Sequence, residues 1–256
     1  MKTIKEIVEN KAEIMALKKA EIKTVKGGLS SVSKKLGGLS KGVFKDSETA
    51  LNRTIVGNTY LWMDSHEDVH AKGLFKKSIS ERKGNIFHLH DHEFKITSKI
   101  GEPSKIYEEK IAWKDLGVNK NGETEALFMD TEIKKEYNLQ VFNGYKSNTI
   151  NQHSVGMQYV KLDLAVNNEQ YEDEFKVWNE NIDKLGNIEQ AEEKGYFWFV
   201  REAKLIEISA VLMGSNELTP TIQEDKSTEP LKDTQKDEAE KSLQDQQLEF
   251  LKTIKI

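Results

Sequence analysis

Four of the six histidines stand at positions 70, 88, 90 and 92, the last three within Phe87-His88-Leu89-His90-Asp91-His92-Glu93. If that string is a strand, its period of two puts His88, His90 and His92 on one face. Two imidazoles one residue apart on a face can grip one metal ion, so a site made of His88, His90 and a carboxylate is one chemical reading. It needs a further ligand from elsewhere, and no second cluster of the right kind stands out in the chain. The plainer reading of His88 and His92 is a polar strand edge facing solvent.

A hydroxyl offers different chemistry. Asn151-Gln152-His153-Ser154-Val155-Gly156-Met157-Gln158-Tyr159 puts a serine at the head of an alternating run. Serine in a strand is often mere filler. Here Gly156 permits close backbone approach two residues on and Gly144 precedes it, so a hydroxyl could project with main-chain N–H groups nearby. A nucleophilic pair of serine and histidine is made by folding rather than by spacing, so the distance in sequence to the histidines is no obstacle. The chain has no cysteine, which excludes disulfides, thiolate metal sites and a cysteine nucleophile.

The elements that would position these groups read as follows. Ile4, Ile7, Val8, Ile14, Met15 and Leu17 recur at helical spacing, predicting an amphipathic helix from residue 3 to about 22 that wants a partner surface. Residues 1–45 carry eleven lysines against four glutamates, although the whole chain has a net charge of −5. Such an arm suits an acidic surface, but without an aromatic before Phe44 it has no platform for stacking bases, so nucleic acid is not the expected partner. The Gly-, Ser- and Lys-rich stretch that follows reads as a linker. We therefore divide the chain into a basic helix (1–26), a linker (27–50), a folded domain (51–220) and a polar tail (221–256) with an apolar stripe of Leu243, Leu248, Leu251 and Ile254. No run of about 18 apolar residues suggests a spanning helix, and the lysine-studded start does not read as a secretory signal, which predicts a cytoplasmic setting.

Within the folded part, a strand, a turn and the entry of another strand are expected across 54–69, and strands at 85–93, 106–113, 125–130, 151–164, 196–201 and 205–212. Helices are expected at 71–80, 133–142 (ended by Asn143-Gly144) and 171–185. Short strands with interleaved helices and no regular βαβ rhythm predict an α+β fold around a mostly antiparallel sheet or barrel.

In sequence order, DSHEDVHAKGLFKKSIS, FHLHDHEFKITSKIG, NGYKSNTINQHSVGMQYV and LIEISAVLMGSNELTP resemble the successive blocks of the tailed-phage prohead maturation proteases, serine peptidases that share a fold with the herpesvirus assemblins. The likeness covers about residues 54–220 and rests on the order of the four blocks. It implies an assemblin-like barrel and a Ser-His-acid site without a cofactor. Carried over residue by residue, the catalytic histidine falls on His90, the one followed by Asp91, the nucleophile on Ser154 and the acid on Glu207. Asp163 and Asp91 are the alternatives for the acid, although a residue next to the histidine would point to the opposite strand face. The resemblance further implies action inside an immature phage shell in the host cytoplasm, with the major capsid protein precursor and scaffold protein as substrates, self-cleavage, and a homodimer or larger oligomer. Two other classes compete: a His-rich metal-binding β-barrel enzyme and a non-catalytic capsid assembly or scaffold protein.

Overall fold

A computed structural model describes residues 3–22, 46–82 and 84–222. The expected linker lies almost wholly outside the described residues, as does nearly all of the tail. The fold is α+β, built on one open, mixed sheet of eight strands. These are β1 (Ala50–Thr59), β2 (Asp68–His70), β3 (Phe87–His90), β4 (Lys99–Ala112), β5 (Glu123–Lys134), β6 (His153–Val166), β7 (Tyr196–Ala210) and β8 (Thr221–Ile222). Their order is β2-β7-β3-β4-β5-β1-β8, with β6 on the free side of β7. The β2–β7 and β3–β7 pairs are parallel, and the remaining pairs are antiparallel.

Both faces of the sheet are covered, because alternate side chains of the same strands go to two apolar clusters. Ile55, Leu127, Met129, Trp198 and Val200 enter one, and Val56, Ala126, Phe128, Phe197 and Phe199 enter the other. Trp178 of helix α5 (Glu172–Asn181) closes the second cluster. The first is closed in part by the N-terminal segment. That segment is two helices, α1 (Ile4–Glu9) and α2 (Lys11–Ala20), broken at Asn10. Thr3 and Glu6 form a reciprocal capping box on α1. The predicted apolar stripe finds its partner surface on the protein itself: Ile7 is buried, and Ile4, Val8, Ile14 and Met15 pack against the core. Polar ties reinforce the docking, with Lys18 Nζ 2.6 Å from Asp68 Oδ1 and Lys11 Nζ 2.6 Å from Glu174 Oε1.

Three local expectations are corrected. The helix expected at 133–142 is instead the end of β5, followed by α4 (Leu139–Lys146), which begins where the Asn138 side chain accepts the Val141 N–H. Asn143-Gly144 does not stop it. Gly144 serves a close approach, since a Cβ there would lie 2.6 Å from Ile150 Cδ1. The strands expected at 196–201 and 205–212 are one continuous β7, because irregularities in the β6–β7 register absorb the change of pattern between them. The remaining helices are α3 (Lys76–Glu81), within the segment expected, and α6 (Ile188–Lys194), which leads into β7.

Candidate functional site

The site lies where β6, β7 and β3 run side by side. Ser154 is the register partner of Ser209, and Gly156 of Glu207. Ser154, Gly156, Glu207 and Ser209 therefore share one sheet face, while Val155, Ile208 and Ala210 face the apolar core. Strict alternation along β7 would have put Glu207 on the same face as the core residue Leu205. A register irregularity between Gly156 and Met157 prevents this. Such a bulge re-aims the side chains that follow it.

Glu207 is fully buried, and its carboxylate is held from two directions. His92 Nδ1 lies 2.6 Å from its Oε1, and the Ser209 hydroxyl donates to its Oε2 at 2.6 Å. Oε1 occupies the space that a side chain at 156 would fill, since a Cβ on Gly156 would be 2.1 Å from it. The carboxylate thus lies over β6, two residues from Ser154 on the same face. A carboxylate only accepts, so in the neutral ring Nδ1 carries the proton and Nε2 presents a lone pair. His92 Nε2 is buried without a hydrogen-bond partner among the described residues. Ser154 and Ser209 differ sharply here: the Ser209 hydroxyl is engaged, whereas no hydrogen bond engages that of Ser154 among the described residues.

The three acids and the histidine expected from sequence separate accordingly. Ser154 and Glu207 share a sheet face, but the histidine bonded to Glu207 is His92, and the expected pairing of His90 with Glu207 does not form. His90 is the register partner of Ala210, and its Nδ1 lies 3.0 Å from Asp91 Oδ2, a largely exposed carboxylate. Asp91 therefore orients His90 instead. Asp163 pairs with Arg201, far along β6 from Ser154. The physical reason for the exchange of histidines is backbone conformation. β3 ends at His90, and Asp91 and His92 both take left-handed values, φ 53° and 57°. Two such residues turn the chain at the end of β3 and deliver the His92 ring to Glu207, at a cost of roughly 1–2 kcal/mol each.

The same turn takes His92 off the expected shared histidine face, and His88, within β3, is bonded inward instead of being available to a metal site. His88, His90 and His92 look to Thr131 and Tyr145, to Asp91 and to Glu207 respectively. Among the described residues, no three His, Asp or Glu side chains are grouped so as to hold an ion.

Beneath the site strand runs a buried polar chain. The Thr219 carbonyl can only accept, so His153 Nδ1 donates to it at 2.8 Å and Nε2 accepts from the Tyr145 hydroxyl at 2.9 Å. That hydroxyl has one proton, which leaves His88 Nε2–H to donate to it at 3.3 Å and His88 Nδ1 to accept from Thr131 Oγ1 at 3.1 Å. Burial lowers the His153 imidazole to a pKa of about 4. Burial, and then the neighbouring His153, hold His88 well below the ordinary histidine value. Both rings are thus neutral in the fold, and His153, directly before Ser154, anchors β6 from the core side.

The chain matches no protein-family model, and comparisons with curated proteins and with solved structures gave no match. The site accordingly rests on its own geometry. His92 and Ser209 are the two residues that sequence reasoning passed over. The available signal was Asp91-His92 at a strand end, since Asp and His enter the left-handed region more readily than most residues.

Proposed function

We propose that the chain is a serine endopeptidase acting by acyl transfer, with Ser154 as nucleophile, His92 as general base and acid, and Glu207 holding the imidazole. The observation that carries this reading is the 2.6 Å bond from His92 Nδ1 to the fully buried Glu207 carboxylate, which leaves Nε2 without a partner, with the free Ser154 hydroxyl on the sheet face that carries Glu207. In this mechanism Nε2 takes the Ser154 proton as Oγ bonds to the carbonyl carbon of the scissile peptide. The resulting imidazolium is stabilised by Glu207. The same proton then passes to the leaving amine as the C–N bond breaks, and a water, activated in turn by Nε2, hydrolyses the acyl-enzyme. An orienting acid of this kind contributes by fixing the tautomer, so Glu207→Gln is expected to lower kcat by roughly ten-thousand-fold.

The order of sequence blocks points to the biological setting. Combined with this site, it supports a prohead maturation protease, built on an open sheet rather than the assemblin-like barrel that the resemblance implies, cutting scaffold and capsid precursor, and itself, inside the immature phage head in the host cytoplasm. The N-terminal arm has a narrower part in this reading than its composition suggested. Its apolar stripe is committed to its own sheet, so docking on scaffold is assigned to the polar tail. The membrane is not part of the proposal, and among the described residues no helix is long and apolar enough to cross one. The test is co-expression with a candidate capsid precursor. Wild-type protein shortens the precursor on a gel, and Ser154→Ala leaves it full length. Equal processing by the Ser154→Ala protein would defeat the assignment.

A further inference from the structure

We infer that Ser209 is a positioning residue that latches the general base and its acid to each other, an inference that rests on the reading of Ser154, His92 and Glu207 given above. The left-handed pair Asp91-His92 is not a conformation the chain adopts unaided, so something must hold it. Three main-chain N–H groups do so. Asp91 N–H donates to the Ala210 carbonyl at 3.0 Å and Glu93 N–H to the His90 carbonyl at 3.2 Å. The third, His92 N–H, donates to Ser209 Oγ at 3.1 Å, and this is the one tie of the three made to a side chain.

The same oxygen carries the second half of the latch. Its single proton goes to Glu207 Oε2 at 2.6 Å, and its lone pair receives the His92 N–H. One buried atom thus fixes the main chain of the base and the far oxygen of the acid, while Oε1 remains for the imidazole. The two oxygens of Glu207 are divided between ring and latch, which sets the carboxylate plane relative to the ring. Ser209 is fully buried with both hydrogen-bonding directions in use, so it does not touch substrate. Its register partner on β6 is Ser154, so the latch lies beside the nucleophile, and a slack turn would release the His92 ring from its place on Glu207.

Removing the hydroxyl should therefore misplace the base without altering substrate binding. The experiment compares wild type, Ser209→Ala and Ser209→Thr in the full chain. Two quantities are read: peptidase kinetics on the capsid precursor, and the low-field proton resonance of the His92 Nδ1–H bonded to Glu207, assigned by its absence in His92→Ala. Ser209→Ala is expected to lower kcat roughly tenfold to a hundredfold, with KM within about twofold, and to abolish or shift the low-field signal. Ser209→Thr, which keeps the hydroxyl, restores both. Retention of wild-type kcat and of the low-field signal by Ser209→Ala would overturn the inference. If the wild-type protein proves to have no peptidase activity, the functional reading fails, and the resonance alone still decides whether Ser209 positions His92. Should Ser209→Ala not fold, Ser209→Cys gives the same comparison with a poorer acceptor of similar shape.

Discussion

Two histidines stand two positions apart near the buried carboxylate, and only His92 meets it. Alternation assigns both to the same face, and the resemblance to the prohead proteases falls on His90 because an aspartate follows it. That aspartate proves to be the partner of His90 in an exposed pair, while His92 reaches Glu207 through two left-handed residues. Position 156 shows how tightly this corner is filled. A methyl group there would fall 2.1 Å from Glu207 Oε1, inside any van der Waals contact, and the carboxylate cannot retreat without leaving both His92 and Ser209. Gly156→Ala is therefore expected to cost a hundredfold or more in kcat, from loss of alignment, and about 1–3 kcal/mol of stability from overpacking. Steady-state kinetics and chemical denaturation of that variant check both numbers, and wild-type behaviour in both would show that Glu207 does not lie over β6 as described.

At the element scale, the polar chain from Thr131 through His88, Tyr145 and His153 to Thr219 links β5, β3, α4, β6 and the segment entering β8. It makes the fold sensitive to acid. A histidine whose folded pKa lies near 4 stays neutral in the fold while the unfolded chain takes up a proton below its ordinary value of 6.5. The unfolded state then binds more protons, so stability is complete above about pH 6.5 and falls as pH drops toward 4. His153 alone should remove roughly 3 kcal/mol over that window, and His88, shifted in the same direction, adds to it. Denaturant midpoints measured between pH 7 and pH 4 should fall steeply. In His153→Asn the slope should be shallower, and a flat wild-type profile would mean that the two rings are not buried neutral.

How much of these elements could be read from the chain follows from their physics. The strand at Ser154 and the hairpin of β4 and β5 were legible because alternation and turn residues agree. β7 was read as two strands because its pattern changes phase, and only its neighbour's register reveals that the change is a bulge within one strand. The helix expected at 133–142 failed because apolar residues of a strand end and of the next helix happen to fall at helical spacing. Motif order singled out Ser154 and Glu207, which the structure places on one sheet face. It did not single out His92 and Ser209, since their roles depend on a backbone turn that neither periodicity nor motif order encodes.

At the scale of the whole molecule, the sheet presents β6, β7 and β3 as neighbours although they lie far apart in sequence, and this topology puts Ser154 and Glu207 on one face and the end of β3, which leads to His92, beside Glu207. The N-terminal helices complete the core on the opposite side from the site, with Lys18 meeting the buried Asp68, to which the Tyr159 hydroxyl also donates at 2.8 Å. Site and arm are thus carried by opposite faces of the same strands.

The central claim is that Ser154 is activated by His92 and not by His90, and covalent labelling tests it without any knowledge of the natural substrate. An active-site-directed fluorophosphonate followed by peptide mass spectrometry should place one adduct on Ser154 in the wild type and in His90→Ala, and none in His92→Ala. An adduct that survives His92→Ala, or one lost in His90→Ala alone, would contradict it.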